Sequence, residues 1–199
     1  MASRLAGMGL TDPVVLALPR GGVPVAQPIA EILQAPLDLL LVRKIGVPSQ
    51  PELAAAAIVD GEAPQIVQNE AVMSLTGLTE RDIERLAEPE LRELERRRQV
   101  YMKERKPVSV EGKSAVVVDD GIATGTTVRA ALTALRRRHP ARLILAVPVA
   151  PTETIEVLRP LVDDIVCPVV SDEFYAISPF YREFHQLSDA EVTRLLERR

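Results

Sequence analysis

The sequence predicts an α/β domain with a mainly parallel central sheet flanked by helices, and three observations predict it. Short apolar runs without polar alternation recur at residues 14–18, 37–42, 115–118, 143–147 and 164–167. Uninterrupted runs of this length are what a sheet buried on both faces requires. Helical patterns fall between them at 23–34, 128–138 and 152–161, which is the alternation of a layered α/β fold. The chain has 199 residues, 47% of them hydrophobic, enough for a single domain over 1–199 with a full core.

The first run leads into Leu18-Pro19-Arg20-Gly21-Gly22-Val23-Pro24. Paired glycines let the chain turn sharply and present bare N–H groups, and Arg20 adds a charged fork. The combination suits a diphosphate; a plain strand-to-helix turn is the other account. Pro28 sits awkwardly in the helix that follows, so that helix starts late or bends. The second run ends at Arg43-Lys44 and opens into Ile-Gly-Val-Pro-Ser-Gln-Pro. Two cations at the carboxyl end of a strand suit an anionic group, with a salt bridge from Arg43 to Glu52 as the alternative. Residues 52–60 read as a strand turning at Asp60-Gly61, with a returning strand at 65–68.

Two stretches break the alternation. Residues 79–106 are dense in Glu and Arg, with Ile83, Leu86, Ala87, Leu91, Leu94 and Tyr101 at near-helical spacing, and read as the main part of a helical insertion over about 70–106. Its wet face would carry charge pairs. Pro89 should open a second helix or kink one long one. An exposed arm without chemistry is the plainer reading of it. The other stretch is a small C-terminal element over about 170–199. Five of the six aromatic residues, Phe174, Tyr175, Phe180, Tyr181 and Phe184, lie within it. Such a concentration builds either a local mini-core under the closing helix, which burial of area favours, or a stacking wall. Because Phe174 and Tyr175 follow the last strand, they are expected to supply part of an acceptor pocket, one of them stacking on a planar ring, while Phe180, Tyr181 and Phe184 are expected to pack on a closing helix. That helix begins at Ser188, where Ser188-Asp-Ala-Glu191 has the form of a capping box.

The densest chemistry lies at 116–127, Val-Val-Val-Asp-Asp-Gly-Ile-Ala-Thr-Gly-Thr-Thr. An apolar strand, the adjacent carboxylates Asp119 and Asp120 and a hydroxyl-rich turn run directly into a helix. The carboxylates at a strand end can accept hydrogen bonds from vicinal ribose hydroxyls. Ala123, Thr124, Gly125, Thr126 and Thr127 offer backbone N–H groups and hydroxyls around a phosphate at a helix N-terminus, where unpaired donors and the dipole favour an anion. An ordinary strand-to-helix connection with a Thr cap is the alternative.

This segment resembles the signature of type I phosphoribosyltransferases, which bind 5-phosphoribosyl-1-pyrophosphate (PRPP). Gly121 stands where an aliphatic residue is common, and Thr126 where a second glycine is common. The resemblance extends to the Arg20-Gly21-Gly22 turn, similar to the family's pyrophosphate loop, and to Arg43-Lys44, matched in its adenine-type members. The organisation is recognisable over about 13–170 and is similar to a bacterial group carrying Leu-Pro-Arg-Gly-Gly-Val-Pro and a C-terminal Tyr-Arg-Glu-Phe stretch. The resemblance implies a type I phosphoribosyltransferase fold with a C-terminal hood-like element, and Mg²⁺-dependent transfer of phosphoribose from PRPP to a nucleobase or related small-molecule acceptor. It implies Asp119 and Asp120 as the catalytic pair, with Mg²⁺ arriving through PRPP and touching them at most through water. The 5-phosphate would lie on 123–127, and the pyrophosphate on Arg20, Gly21, Gly22, Arg43 and Lys44. A homodimer is usual in the family. A non-catalytic sensor of PRPP or nucleotides is the rival function, and the resemblance leaves open whether the arm replaces or shields the family's mobile loop.

Composition narrows the classes further. The formal net charge is −4, which argues against a general nucleic-acid surface. Arginine makes up 20 of the 24 basic residues, and the runs 96–98 and 136–138 read as solvated helix faces. One cysteine, Cys167, and two histidines, His139 and His185, point away from disulfides and Cys- or His-based metal cages. No apolar stretch approaches the ~20 residues of a membrane span, and residues 1–9 are too short for a secretory leader. A cytoplasmic protein is therefore expected.

Overall fold

The computed structural model describes residues 1–61, 63–103 and 105–197. Helix α1 (Ala2–Ala6) precedes strand β1 (Val14–Ala17), which leads through α2 (Gly22–Leu33) to β2 (Leu37–Leu39). Then come β3 (Val42–Val47), β4 (Gln50–Val59), β5 (Gln65–Gln68), α3 (Glu70–Thr76) and α4 (Glu80–Met102). The second half runs β6 (Ser114–Val118), α5 (Thr126–Arg136), β7 (Arg142–Ala146), β8 (Val149–Pro151), α6 (Thr152–Leu158), β9 (Asp164–Val166), β10 (Val169–Ser171) and α7 (Asp189–Glu197).

Five strands form a parallel sheet in the order β2-β1-β6-β7-β9. All residues of β1 and β6 are buried, as a sheet covered on both faces requires. Alternate residues serve the two faces: Val116 and Val118 pack on one side with Ile29 and Ile144, and Ala115 and Val117 on the other with Leu132 and Leu143. From β1 the chain crosses to β2 on one side; from β6 it proceeds to β7 on the other. The crevice beyond the carboxyl ends of β1 and β6 is therefore the switch point at which open α/β sheets place ligands.

The run 37–42, read as one strand, divides between two sheets. The Leu40 N–H still donates to the Ala17 carbonyl at 2.9 Å, while the Leu41 carbonyl accepts from Asp60 N at 3.0 Å. The backbone changes partners over these two buried leucines, and β3 pairs instead in the antiparallel sheet β3-β4-β5. An apolar run carries no mark of such an exchange.

The insertion is mostly one helix. Thr79 and Asp82 cap α4 reciprocally, with Thr79 N donating to Asp82 Oδ2 at 3.0 Å and Asp82 N to Thr79 Oγ1 at 3.3 Å. Pro89 neither ends α4 nor opens a second helix, and Pro28 likewise lies inside α2. Both prolines are exposed, so the carbonyl that each leaves without its helical donor can be hydrated. The capping box expected at Ser188 is formed: Ser188 N donates to Glu191 Oε2 at 2.8 Å and Glu191 N to Ser188 Oγ at 3.3 Å.

Arg98 corrects the reading of 96–98 as a solvated face. Arg96 and Arg97 pair with Glu93 on the same helix, but the Arg98 side chain is only 13% exposed. Its Nη2 donates to both oxygens of Asp38 at 3.0 and 3.1 Å, and its Nη1 to Asp60 Oδ2 at 2.5 Å. Asp38 also accepts from Val108 N at 2.7 Å, and Asp60 from Leu41 N at 2.6 Å. The arm is thereby tied to the point where the chain passes from one sheet to the other. Burial pushes the Asp60 carboxyl up to about 6, against the pull of the Arg98 charge.

Candidate functional site

Two loops meet at the switch point. The first follows β1 and contains Pro19 to Gly21; the second follows β6 and contains Asp119 to Gly125. They are in direct contact. A Cβ placed on Gly21 would overlap the Asp120 carboxylate, and one on Gly22 would stand 2.6 Å from the Val118 carbonyl oxygen. The glycines after β1 are thus required by the close approach of two backbones, and the structure brings Gly21, Gly22, Asp119 and Asp120 together.

Asp119 and Asp120 are half-buried and adjacent, and Asp119 Oδ1 accepts from the Asp120 N–H at 2.9 Å. Burial, and then the neighbouring Asp120 charge, pushes the Asp119 carboxyl well above the usual range; burial also raises Asp120. Two carboxylates held in this state are costly without a partner, and donors or a positive charge at the turn would relieve them.

Beyond the acidic pair the loop wraps a cavity of about 150 Å³ lined by Asp119 and residues 121–128. Gly125 caps α5 with φ +71°, a left-handed conformation that favours glycine. Intrahelical pairing begins with Arg129 N on the Gly125 carbonyl at 2.8 Å. Among the described residues, the backbone N–H groups of Ala123 to Val128 find no acceptor within the protein. Unpaired donors at a helix N-terminus can cradle an anion. Thr154, which the sequence did not single out, steadies the loop: the Thr154 hydroxyl donates to the Ala123 carbonyl at 2.8 Å, and its methyl would be only 2.8 Å from a Cβ on Gly125. A second cleft of about 410 Å³ adjoins the loop, reached by Thr124, Thr126, Arg129, Glu153 and Asn69.

Other expected site residues are placed differently. Arg43 lies within β3 and engages Glu90 of α4, with Nε and Nη2 2.7 and 2.5 Å from Oε2. It ties down the arm, and its ion-pair partner is Glu90 instead of Glu52. Lys44 is exposed on the same strand. Arg20 stands 3.8 Å from Asp189 at the start of α7, whose carboxylate also accepts from Tyr101 Oη at 2.6 Å. Phe174 stacks on Phe180 with centroids 5.5 Å apart. Tyr175 is 94% exposed. The aromatic residue that reaches the acidic turn is Tyr181, whose hydroxyl donates to the Asp120 carbonyl at 2.6 Å. It was expected on the closing helix; the signal that would have marked it is its hydroxyl, which demands a partner when the ring is covered.

Comparisons with known proteins place the chain in a family. The family described as the phosphoribosyl transferase domain matches residues 1–185. The chain belongs to the phosphoribosyl transferase family. A Mycobacterium tuberculosis protein named "putative phosphoribosyl transferase" is 43% identical over 198 residues, covering 100% of this chain and 44% of the relative. The chain thus spans about half the length of the curated relatives it matches. The crystal structure of TT1426 from Thermus thermophilus superposes with a TM-score of 0.85 at 36% identity, covering 98% of this chain and 91% of that one. The α/β fold with its parallel sheet is thus shared with that protein. No helix among the described residues is long and apolar enough to cross a membrane.

Proposed function

We propose that the protein transfers the phosphoribosyl group of PRPP to a nitrogen of a nucleobase or related heterocycle, with release of pyrophosphate. The observation that carries this reading is the run of unpaired amides from Ala123 to Val128 beside the acidic pair, with Asp120 of that pair packed on Gly21 of the first loop. In this reading the amides and hydroxyls of 123–127 hold the 5-phosphate. Asp119 and Asp120 accept from the ribose hydroxyls, and Arg20, Gly21 and Gly22 take the pyrophosphate, with Lys44 as a further cation. Arg43 is engaged by Glu90 and has no part in it. Phe174, stacked on Phe180, and Tyr175, which is exposed, stand as the candidates for the acceptor side.

In the transfer the bond from ribose C1 to the pyrophosphate oxygen breaks and the electron pair leaves with pyrophosphate. The acceptor nitrogen forms the new bond to C1 and loses its proton. Positive charge builds on the ribose and negative charge on the leaving group, so the protein acts by positioning and electrostatics. In this reading the acidic pair would stand at the ribose and the Arg20 fork would meet the departing anion. Mg²⁺ fits the donors present, because it retains water and substrate oxygens and needs few protein ligands; among the described residues no three carboxylate, His or Cys side chains converge. When bound with PRPP it would neutralise the diphosphate, and Asp119 and Asp120 would meet it through water.

Calorimetry with PRPP and Mg²⁺, followed by a screen of bases for pyrophosphate release, tests the proposal. A ligand specific to the folded state stabilises it by about 2.7 kcal/mol at a hundredfold excess over Kd, so melting should rise. No heat of binding at millimolar PRPP would end the reading. Binding without pyrophosphate release with any base would favour a PRPP-sensing role.

A further inference from the structure

Between β10 and α7 the chain has only one short helical turn, Ser178–Phe180, yet it is fastened to the acidic turn at two adjacent points. The Tyr181 hydroxyl donates to the Asp120 carbonyl at 2.6 Å. Ile177 covers the next residue: a Cβ on Gly121 would lie 2.9 Å from Ile177 Cγ2 and 3.0 Å from Val149 Cγ1. Gly121 has φ +154°, and Ile177 together with Val149 fills the space that a side chain there would need. A glycine at this φ has no Cβ to restrict it, and its backbone must be held by its neighbours.

The peptide group supplies the connection to the ligand site. A trans peptide is planar, so the Asp120 carbonyl and the Gly121 N–H point in opposite directions. A hydroxyl that fixes the carbonyl fixes the plane. That plane joins the second carboxylate to Gly121, the first residue after the acidic pair to line the cavity.

We propose that Tyr181 is a positioning residue of the sugar-phosphate site, its hydroxyl holding the Asp120–Gly121 peptide so that the acidic pair and the amide cradle stand ready for ligand. The inference rests on the reading of the site given above. Burial and the charges of Asp120 and Asp119 push the phenol up to about 12, so it stays a donor across the working pH range. The ring is also packed, tilted on Phe184 with centroids 5.3 Å apart, and Tyr181→Phe keeps that packing while removing only the hydroxyl.

The test compares wild type with Tyr181→Phe in two arms. In the ligand-free protein, backbone ¹⁵N relaxation should show the order parameters of Asp120, Gly121 and Ile122 falling from the rigid range of about 0.85 toward the flexible range below about 0.6. By calorimetry, the Kd for PRPP with Mg²⁺ should rise about two- to tenfold, the scale of one hydrogen bond, with the melting temperature nearly unchanged. Unchanged order at the turn overturns the proposal. So does a lowered melting temperature with wild-type PRPP affinity, which would make Tyr181 only an anchor for the C-terminal segment. If wild type binds no PRPP but Tyr181→Phe loosens the turn, the functional reading fails and the positioning of the turn stands.

Discussion

Gly21 and Asp120 close on each other so tightly that any side chain at position 21 would overlap the carboxylate. Gly21 has φ −64°, which every residue can adopt, so the demand for glycine here is spatial. Gly21→Ala should displace the Asp120 side chain, which can rotate, and so weaken PRPP binding more than it lowers melting. Gly22→Ala should do the reverse, because its Cβ would press on the Val118 carbonyl 2.6 Å away. Fixed backbone cannot yield as a side chain does, and overpacking of this kind costs about 1–3 kcal/mol. Urea denaturation and PRPP calorimetry on both variants would show this opposite ordering; equal losses in both measurements would refute it.

Gly125→Val tests the cradle. The φ of +71° makes the left-handed conformation costly by about 1–2 kcal/mol for a residue with a Cβ, and the Thr154 methyl obstructs the added carbon at 2.8 Å. Loss of both stability and affinity for PRPP is expected. Thr154→Val separates the two effects. It removes the hydroxyl that holds the Ala123 carbonyl with little change of shape. It should loosen the loop and raise the PRPP Kd several-fold while costing about 1 kcal/mol, the typical net value of one hydrogen bond. Wild-type affinity in Thr154→Val would show that the cradle does not depend on this bond.

Asp119→Asn with Asp120→Asn should abolish or greatly reduce turnover without unfolding the protein. Burial raises both carboxyls in the folded state. A carboxyl raised in this way contributes stability at low pH that is lost as pH rises through its folded value, so at neutral pH the charged pair is a liability. Neutral amides relieve it, and the melting temperature at pH 7 should be equal or higher. A marked drop in melting temperature, or turnover at the wild-type rate, would make the pair a structural cap.

The sheet and the centre of the candidate site were legible in the sequence because both rest on local patterns. Strands β1, β6 and β7 are continuous apolar runs, and the acidic pair and Thr-Gly turn are contiguous in the chain. What it did not disclose depends on partners distant in sequence. Tyr181 is 61 residues from Asp120, and Thr154 is 31 from Ala123. Composition could not separate Arg98 from Arg96 and Arg97, but helical phase could have done so. Residue 98 lies four after Leu94 and three before Tyr101, both buried, and so falls on the inner face of α4. Arg43 is the opposite case: a cation at a strand end suited an anionic ligand or a nearby carboxylate, and the distant arm supplied Glu90.

Arg98 also sets a pH signature. It is the charged partner of Asp38 and Asp60, each with a side chain only 2% exposed. Arg98→Met would strand two buried carboxylates, and breaking a buried pair on one side costs about 3–5 kcal/mol. The Asp60 carboxyl is already raised from 3.8 to about 6 in the folded protein, with Arg98 pulling it down. Its contribution is therefore present in acid and lost as pH rises from about 4 to about 6. Without Arg98 the folded value climbs further, and the loss extends toward neutral pH. Urea denaturation at pH 5 and pH 7.5 should show the variant recovering more stability on acidification than wild type does, and the same pH dependence in both proteins would refute the coupling.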